Sequence, residues 1–324
     1  MCRSDKTKAT SQRQDEPSSS EEKQSGKAHD ALSLRDFFDP RNPWDLRDRV
    51  PHSEAIQNWF KFVPLRFKEG PWLPLATWSI VSTVGYVIYA TIDANIEYYN
   101  DGSIGTDGIM EEFVGHKSYT AFTTEWYYNV VLFLWTSYVA WTIYDFHKAF
   151  TAWISYTMCS WTLLCVRHGL CAVAPFVPSV RVLAGALRFP LLLSASLTFG
   201  MWNFALMPVI ALGFLEGERR RKFVRWAFNW KMCQIHVFNI LWAYLNCVWA
   251  EPTAQPLHLG DVNAGVVYSL GYMAFYYFVL DRIGIPLYPI VSPRSYICIP
   301  SMLLQAGISV GNYKLWNHVL SADA

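Results

Sequence analysis

The residues of this 324-residue chain with chemistry to offer are few, and they fall in two short runs. His236 and Asn239 lie three apart, so on a helix they share a face and can serve one group; Asn246 continues that face two turns later. Phe122-Thr123-Thr124-Glu125-Trp126 supplies hydroxyls. If His236 is a general base, a hydroxyl within its reach becomes a nucleophile toward a carbonyl, and Asn239 is the local candidate to orient the imidazole. The plain reading is structural: Thr123 or Thr124 caps a helix start, while a neutral His and two Asn satisfy neighbouring helices. Glu251 lies too far to be a third catalytic member, roughly 22 Å along a straight helix from His236.

Metal chemistry has no matching pattern. The seven cysteines are odd in number and lie mostly inside apolar stretches, which describes free thiols in packing roles. Cys159, Cys165 and Cys171 recur every six residues, a spacing that spreads them around a helix, and His168 does not bring them to one ion. No zinc, phosphate-loop or nucleophile-elbow motif occurs, so no metal and no cofactor are expected.

These residues must be positioned by a membrane fold. Lys and Arg total 27 against 26 Asp and Glu, and the net charge of +1 excludes a strongly basic nucleic-acid binder. Residues 1–70 carry 13 of the basic and 12 of the acidic side chains, so the long remainder is too poor in charge to coat a soluble surface. Seven stretches hold no Asp, Glu, Lys or Arg: 72–92, 126–144, 149–166, 189–215, 232–250, 262–280 and 295–313. Each is long enough to cross the hydrocarbon layer, the third only just. A bilayer leaves backbone groups no water, which demands helices or a closed barrel, and the alternation of a barrel is missing. Trp and Tyr near the stretch ends (Trp72, Trp126, Tyr144, Trp230, Trp249, Tyr313) suit interfacial anchors. Gly307 and Gly311 form a small-xxx-small pair, and Pro190 and Pro208 predict bends in the fourth stretch. The fold class is therefore all-α, a polytopic integral membrane helical bundle of six or seven transmembrane helices.

Stretch 149–166 decides the number. With seven spans, the run Arg219, Arg220, Arg221, Lys222, Arg225, Lys231 joins the amino terminus on the cytoplasmic side, where it meets anionic headgroups, and the acidic loop from Glu97 to Glu112 lies opposite. Arg167, Arg181 and Arg188 then fall on the wrong side. With six spans, 149–166 is interfacial and the basic residues split almost evenly. Charge favours seven.

Taken together, Phe122 to Trp126, Phe189-Pro190 with Trp202, His236-x-x-Asn239, and Tyr268 to Tyr272 leading to Gly284-x-x-Leu287-Tyr288-Pro289 resemble a superfamily. It contains the rolling stone-like membrane proteins and the androgen-induced gene 1 type lipid hydrolases, and the resemblance covers about 120–310. In the hydrolase branch an intramembrane Thr acts as nucleophile with a His assisting, on esters of fatty acids with hydroxy fatty acids. By position those roles fall on Thr124 and His236. The chain departs from the hydrolases in Glu125-Trp126 after the Thr and in the apolar 149–166. The pairing also requires six spans, because in the seven-span arrangement Thr124 and His236 lie at opposite faces, about 30 Å apart.

The expected organisation is a disordered polar tail (1–31), an amphipathic membrane-proximal segment (32–71), the transmembrane domain (72–313) and a short tail (314–324). Two functions compete: an intramembrane Thr/His hydrolase of fatty-acid esters in lipid metabolism, or a non-enzymatic protein of cell-surface interaction or membrane fusion, as rolling stone-like relatives are thought to be. Membrane lipid is the expected partner and nucleic acid is not; protein partners are not specified. The expected location is the endoplasmic reticulum or the plasma membrane.

Overall fold

The computed structural model describes residues 71–100, 119–147, 153–250, 257–281, 285 and 287–322. The polar tail, nearly all of the amphipathic segment and most of the acidic loop before Glu125 lie outside the described residues. Within them the regular structure is entirely helical. The seven charge-free stretches correspond to α1 (Pro74–Asn100), α2 (Thr124–His147), α3 (Tyr156–Val173), α5 (Arg188–Gly200), α7 (230–249), α8 (Leu259–Phe275) and α9 (Cys298–Ala322). Two shorter helices join them: α4 (Pro178–Ala186) leads into α5, and α6 (Gly217–Ala227) precedes α7.

Local chemistry sets the helix starts. Ser155 caps α3, its hydroxyl accepting from Met158 N–H at 3.2 Å, and Asn229 caps α7 through Met232 N–H at 3.0 Å. Asp261 reaches back to His258 N–H at 3.0 Å and closes a capping box on α8. Pro178 occupies the first turn of α4, where its missing N–H costs nothing. Pro208 lies between two widened turns, Met201–Leu206 and Val209–Phe214, that prolong α5; a proline inside a helix leaves the carbonyl ladder to rearrange in this way. Similar wide turns occur in α7 at Gln234–Phe238 and Leu245–Trp249, and at Tyr276–Asp281 beyond α8.

Contacts between helices fix their directions. Trp126 Nε1–H donates to Ala172 O at 2.8 Å at one end of the α2/α3 pair, Trp161 donates to Thr136 O at 3.0 Å in the middle, and Tyr144 meets Trp153 at the other end. That pair is antiparallel. Ser160 bonds Ser194 at 3.1 Å while Arg167 reaches Ala184 O at 2.9 Å, so α3 and α5 are antiparallel too. α8 runs with α5, since Asp261 pairs with Arg188 and Gly265 abuts Phe189. α1 opposes α8 through Asn95–Asn263 and Trp72–Asp281, and α9 opposes α5 through Tyr313–Phe189 and Ile308–Gly200. α3 and α7 are parallel, bonded at Thr157–His236, Ser160–Asn239 and Arg167–Asn246. Thus α1, α3, α7 and α9 point one way and α2, α5 and α8 the other, alternating along the chain. The carboxy ends of α2, α5 and α8 share one end of the bundle with the amino ends of the others.

Trp161, Leu164, Leu191, Leu192 and Ala243 fill one half of the core, and Trp202, Leu206, Tyr276, Leu280 and Met302 the other. The outer faces are apolar as well: Trp78, Val81, Tyr86 and Tyr89 on α1, Val131, Leu134 and Trp141 on α2, and Leu303 and Val310 on α9 are exposed. Patches of this extent mark a surface that meets something other than water. Two helices, Pro74–Glu97 and Pro178–Phe214, are long and apolar enough to cross a membrane.

Three sequence expectations change in detail. Helix α3 extends past Val166 to include Arg167 and His168, both fully buried, Arg167 against α4 and α7 and His168 against α2 and α7. Gly307 and Gly311 meet no neighbour where a Cβ would stand; the close approach is at Gly265, whose Cβ would lie 2.7 Å from Phe189. Helix α9 continues through Lys314 and His318, into the span expected to be a tail.

Candidate functional site

His236 sits in the first widened turn of α7 with 4% of its surface exposed. Its Nδ1 faces the Met232 carbonyl at 3.2 Å, and a carbonyl only accepts, so Nδ1 carries the proton. Nε2 is then a lone-pair acceptor, and it faces Thr157 Oγ1 at 3.3 Å. Trp202 lies flat on the imidazole, centroids 3.9 Å apart, and Asn203 Nδ2 donates to the His236 carbonyl at 3.1 Å. The ring is held by a backbone carbonyl on one nitrogen, a stacked indole on its face and a hydroxyl on the other nitrogen. This is the arrangement a hydroxyl nucleophile and its base require.

Helix α3 presents Thr157 one residue inside its first turn, and aromatic side chains from the end of the bundle close over it. Tyr288 Oη accepts Tyr156 N–H at 2.8 Å, beside Thr157 in the sequence. Tyr272 Oη–H donates to Ile154 O at 2.8 Å, and its ring lies 4.9 Å from that of Tyr156. Tyr276 Oη–H donates to Tyr288 O at 3.1 Å. His236 meets the Thr157 hydroxyl directly, Trp202 stacks on His236, and Tyr272 and Tyr288 pack against the neighbouring Tyr156.

Thr124 does not join them. It is exposed at the first residue of α2, beside the left-handed turn at Phe122, and the capping role belongs to Thr123, whose Oγ1 accepts Trp126 N–H at 3.3 Å. Trp126 contacts Ala172 at the far end of α3, whereas His236 contacts Thr157 at its beginning, a separation of roughly 22 Å at 1.5 Å per residue. The antiparallel α2/α3 hairpin is the physical reason: it carries the start of α2 to the end of the bundle opposite His236.

Asn239 does share a face with His236, but it does not orient the ring. Both side chains meet α3 on successive turns, His236 at Thr157 and Asn239 at Ser160, where Asn239 Nδ2 donates at 3.0 Å. Ser160 in turn donates to Ser194 at 3.1 Å. Asn239 Oδ1 is buried without a partner among the described residues.

Further along the same seam, near the opposite end, Asn246 holds a second polar cluster. Arg167 donates to Asn246 Oδ1 and to Ala184 O, and Asn246 Nδ2 donates to Asn129 Oδ1 at 2.7 Å. His168 Nδ1 lies 2.9 Å from Asn129 Oδ1. Fully buried Leu164 and Ala243 separate this cluster from the Thr157 site. The six described cysteines are free thiols, and no group of three His, Cys, Asp or Glu converges among the described residues.

Sequence reasoning missed Thr157. It is a hydroxyl inside a charge-free stretch, and its one signal is that 149–166 interrupts the expected pattern; the pairing of α3 with α7 is not readable from spacing in one chain. Arg294 is buried and pairs at 3.1 Å with Asp281, whose carboxylate also accepts from Trp72 Nε1. The chain matches no protein-family model, no curated protein and no solved structure.

Proposed function

We propose that the protein is a seven-span membrane hydrolase of fatty-acid esters in which Thr157 is the nucleophile and His236 its general base. The observation that carries this reading is the buried Thr157 Oγ1 to His236 Nε2 contact, with Nδ1 committed to Met232 O. His236 takes the hydroxyl proton as Oγ1 attacks the ester carbonyl, giving an acyl-enzyme and, after that proton passes to the leaving oxygen, an alcohol. Water, deprotonated by the same nitrogen, then releases the fatty acid. The Tyr288 hydroxyl, held at 2.8 Å on the N–H of Tyr156 next to Thr157, is the donor assigned to the developing oxyanion.

An apolar substrate suits a site enclosed by Trp202, Tyr156, Tyr272 and Tyr288. The resemblance to the androgen-induced gene 1 type hydrolases suggests a fatty-acid ester as the substrate class, although the nucleophile it implies, Thr124, is not the hydroxyl that His236 meets. Seven spans are favoured because α3 runs antiparallel along α2 as a full bundle helix of 18 residues, which an interfacial segment does not. Burial removes two of the three arginines that oppose this arrangement, leaving Arg181, which is half-buried and donates to Ala174 O at 3.1 Å. Arg167 and Arg188, which oppose the positive-inside bias, are 0% and 4% exposed, and Arg188 is neutralised by Asp261 at 2.9 Å. The test is turnover of a fatty-acid ester of a hydroxy fatty acid by purified protein in micelles: wild type turns over, Thr157→Ala and His236→Ala lose about 100-fold or more, and Thr124→Ala does not.

A further inference from the structure

The short helix α6 is outside the hydrolase site and carries a charge distribution of its own. Its eleven residues include five basic side chains, Arg219, Arg220, Arg221, Lys222 and Arg225, against the single carboxylate Glu218. Phe223 and Ala227 are buried and seat the helix on the bundle, while Arg219, Arg221, Lys222 and Arg225 are exposed. Arg220 turns back, its Nε–H donating to Leu215 O at 2.9 Å, which fixes α6 against the end of α5.

Large apolar residues border this basic face. Leu212 is 72% exposed, Phe228 55% and Trp230 46%, each next to one end of α6. An open cleft of 430 Å³ lies at the α5/α6 junction, lined by Leu212, Phe214, Leu215, Glu216, Glu218 and Arg219. Its lining is mixed, with Leu212, Phe214 and Leu215 as the apolar part. Of its carboxylates, Glu218 is paired with Arg221 at 3.3 Å. Basic residues on one face with exposed Trp, Phe and Leu alongside are the pattern of a helix lying at the headgroup level of a bilayer, where cations meet phosphates and rings enter the acyl boundary.

We infer that α6 is a docking surface for anionic glycerophospholipid headgroups, with the lipid phosphate on Arg219, Arg221, Lys222 and Arg225 and acyl chain along Leu212 and Phe214. Charge complementarity commits the surface to this occupant: a strongly positive helix face beside exposed apolar side chains fits an anionic lipid and disfavours a zwitterionic one. The inference rests on the membrane-spanning reading but not on the hydrolase. Because α6 joins α5 to α7, it lies at the same end of the bundle as the Thr157 site, on the side the positive residues assign to the cytoplasm.

The test uses the full chain reconstituted into vesicles of phosphatidylcholine containing a small fraction of fluorescent phosphatidylserine, with energy transfer from the protein's tryptophans reporting lipid enrichment. Wild type is expected to enrich phosphatidylserine about tenfold over an equally labelled phosphatidylcholine, with the preference falling as salt rises. The quadruple variant Arg219→Gln, Arg221→Gln, Lys222→Gln, Arg225→Gln is expected to lose that preference while remaining inserted and folded. Equal enrichment in both proteins, or displacement of the lipid by water-soluble glycerophosphoserine at matched concentration, would overturn the inference. Alkaline carbonate extraction separates the two levels: release of wild-type protein from the vesicles removes the membrane-spanning reading and the docking surface with it, whereas retention without lipid preference removes the docking surface alone.

Discussion

Thr157 and His236 meet at 3.3 Å across two parallel helices, and the same sequence offset joins Ser160 to Asn239 and Arg167 to Asn246. The polar face of α7 is therefore one register of contacts with α3. Only its first rung sets a hydroxyl against a ring nitrogen whose partner nitrogen already faces a carbonyl; the middle rung is a chain of hydroxyl and amide bonds, and the last rung is a buried guanidinium.

That difference separates the rungs experimentally. Asn246→Ala removes the side-chain acceptor of Arg167 and the donor to Asn129 while keeping the backbone acceptor, so it is expected to destabilise the protein by about 1–3 kcal/mol, read as a lower midpoint of thermal unfolding in detergent. Esterase turnover per folded molecule is expected to stay at wild-type level, since Leu164 and Ala243 insulate the first rung. Loss of turnover at unchanged stability would mean that the seam acts as one unit.

The bundle's directions predict a topology. Thr124 is exposed at the start of α2 and Arg221 at the α5/α6/α7 end, so cysteines placed at the two positions in a background without other cysteines should react with an impermeant maleimide from opposite sides of a sealed vesicle. Labelling of both from one side would restore the six-span arrangement and the proximity of Thr124 to His236.

Gly265→Ala tests the packing of α8 on α5. A Cβ there would stand 2.7 Å from the Phe189 ring, which overpacks the core and is expected to cost about 1–3 kcal/mol, whereas Gly307→Ala, with open space around it, should leave unfolding unchanged. Equal behaviour of the two variants would show that α5 and α8 are not in close contact.

At the α3 amino-terminal end, Arg294 and Asp281 are 2% and 1% exposed. Removing one partner strands a buried charge, so Arg294→Ala is expected to destabilise by about 3–5 kcal/mol, measured as the loss of folded protein on mild heating. A headgroup-binding role for Arg294 instead predicts normal stability with altered lipid dependence.

Much of the fold was legible because a long stretch without charge favours a helix with apolar faces to bury, and each of the seven stretches contains one. The shared face of His236, Asn239 and Asn246 was legible for the same reason, since helical phase depends on spacing alone. What spacing does not contain is which helix lies opposite. Thr124 attracted attention through its motif, but the α2/α3 hairpin carries it to the wrong end, while Thr157 lay unremarked in the stretch whose status was in question. Arg167 and Arg188 counted against the charge-favoured arrangement for a related reason: burial and ion pairing, not sequence, decide whether an arginine counts as a surface charge. The cap at Thr123 was readable from residue type, the close approach at Gly265 was not.

The central claim is that Thr157, activated by His236, attacks an acyl carbon. Its most direct test is labelling of the membrane-inserted protein by a lipophilic fluorophosphonate, followed by peptide mass spectrometry to find the modified residue. The account predicts an adduct on Thr157 that is absent in both Thr157→Ala and His236→Ala and persists in Thr124→Ala. An adduct on Thr124, or no adduct at all in protein shown to be folded, would contradict it.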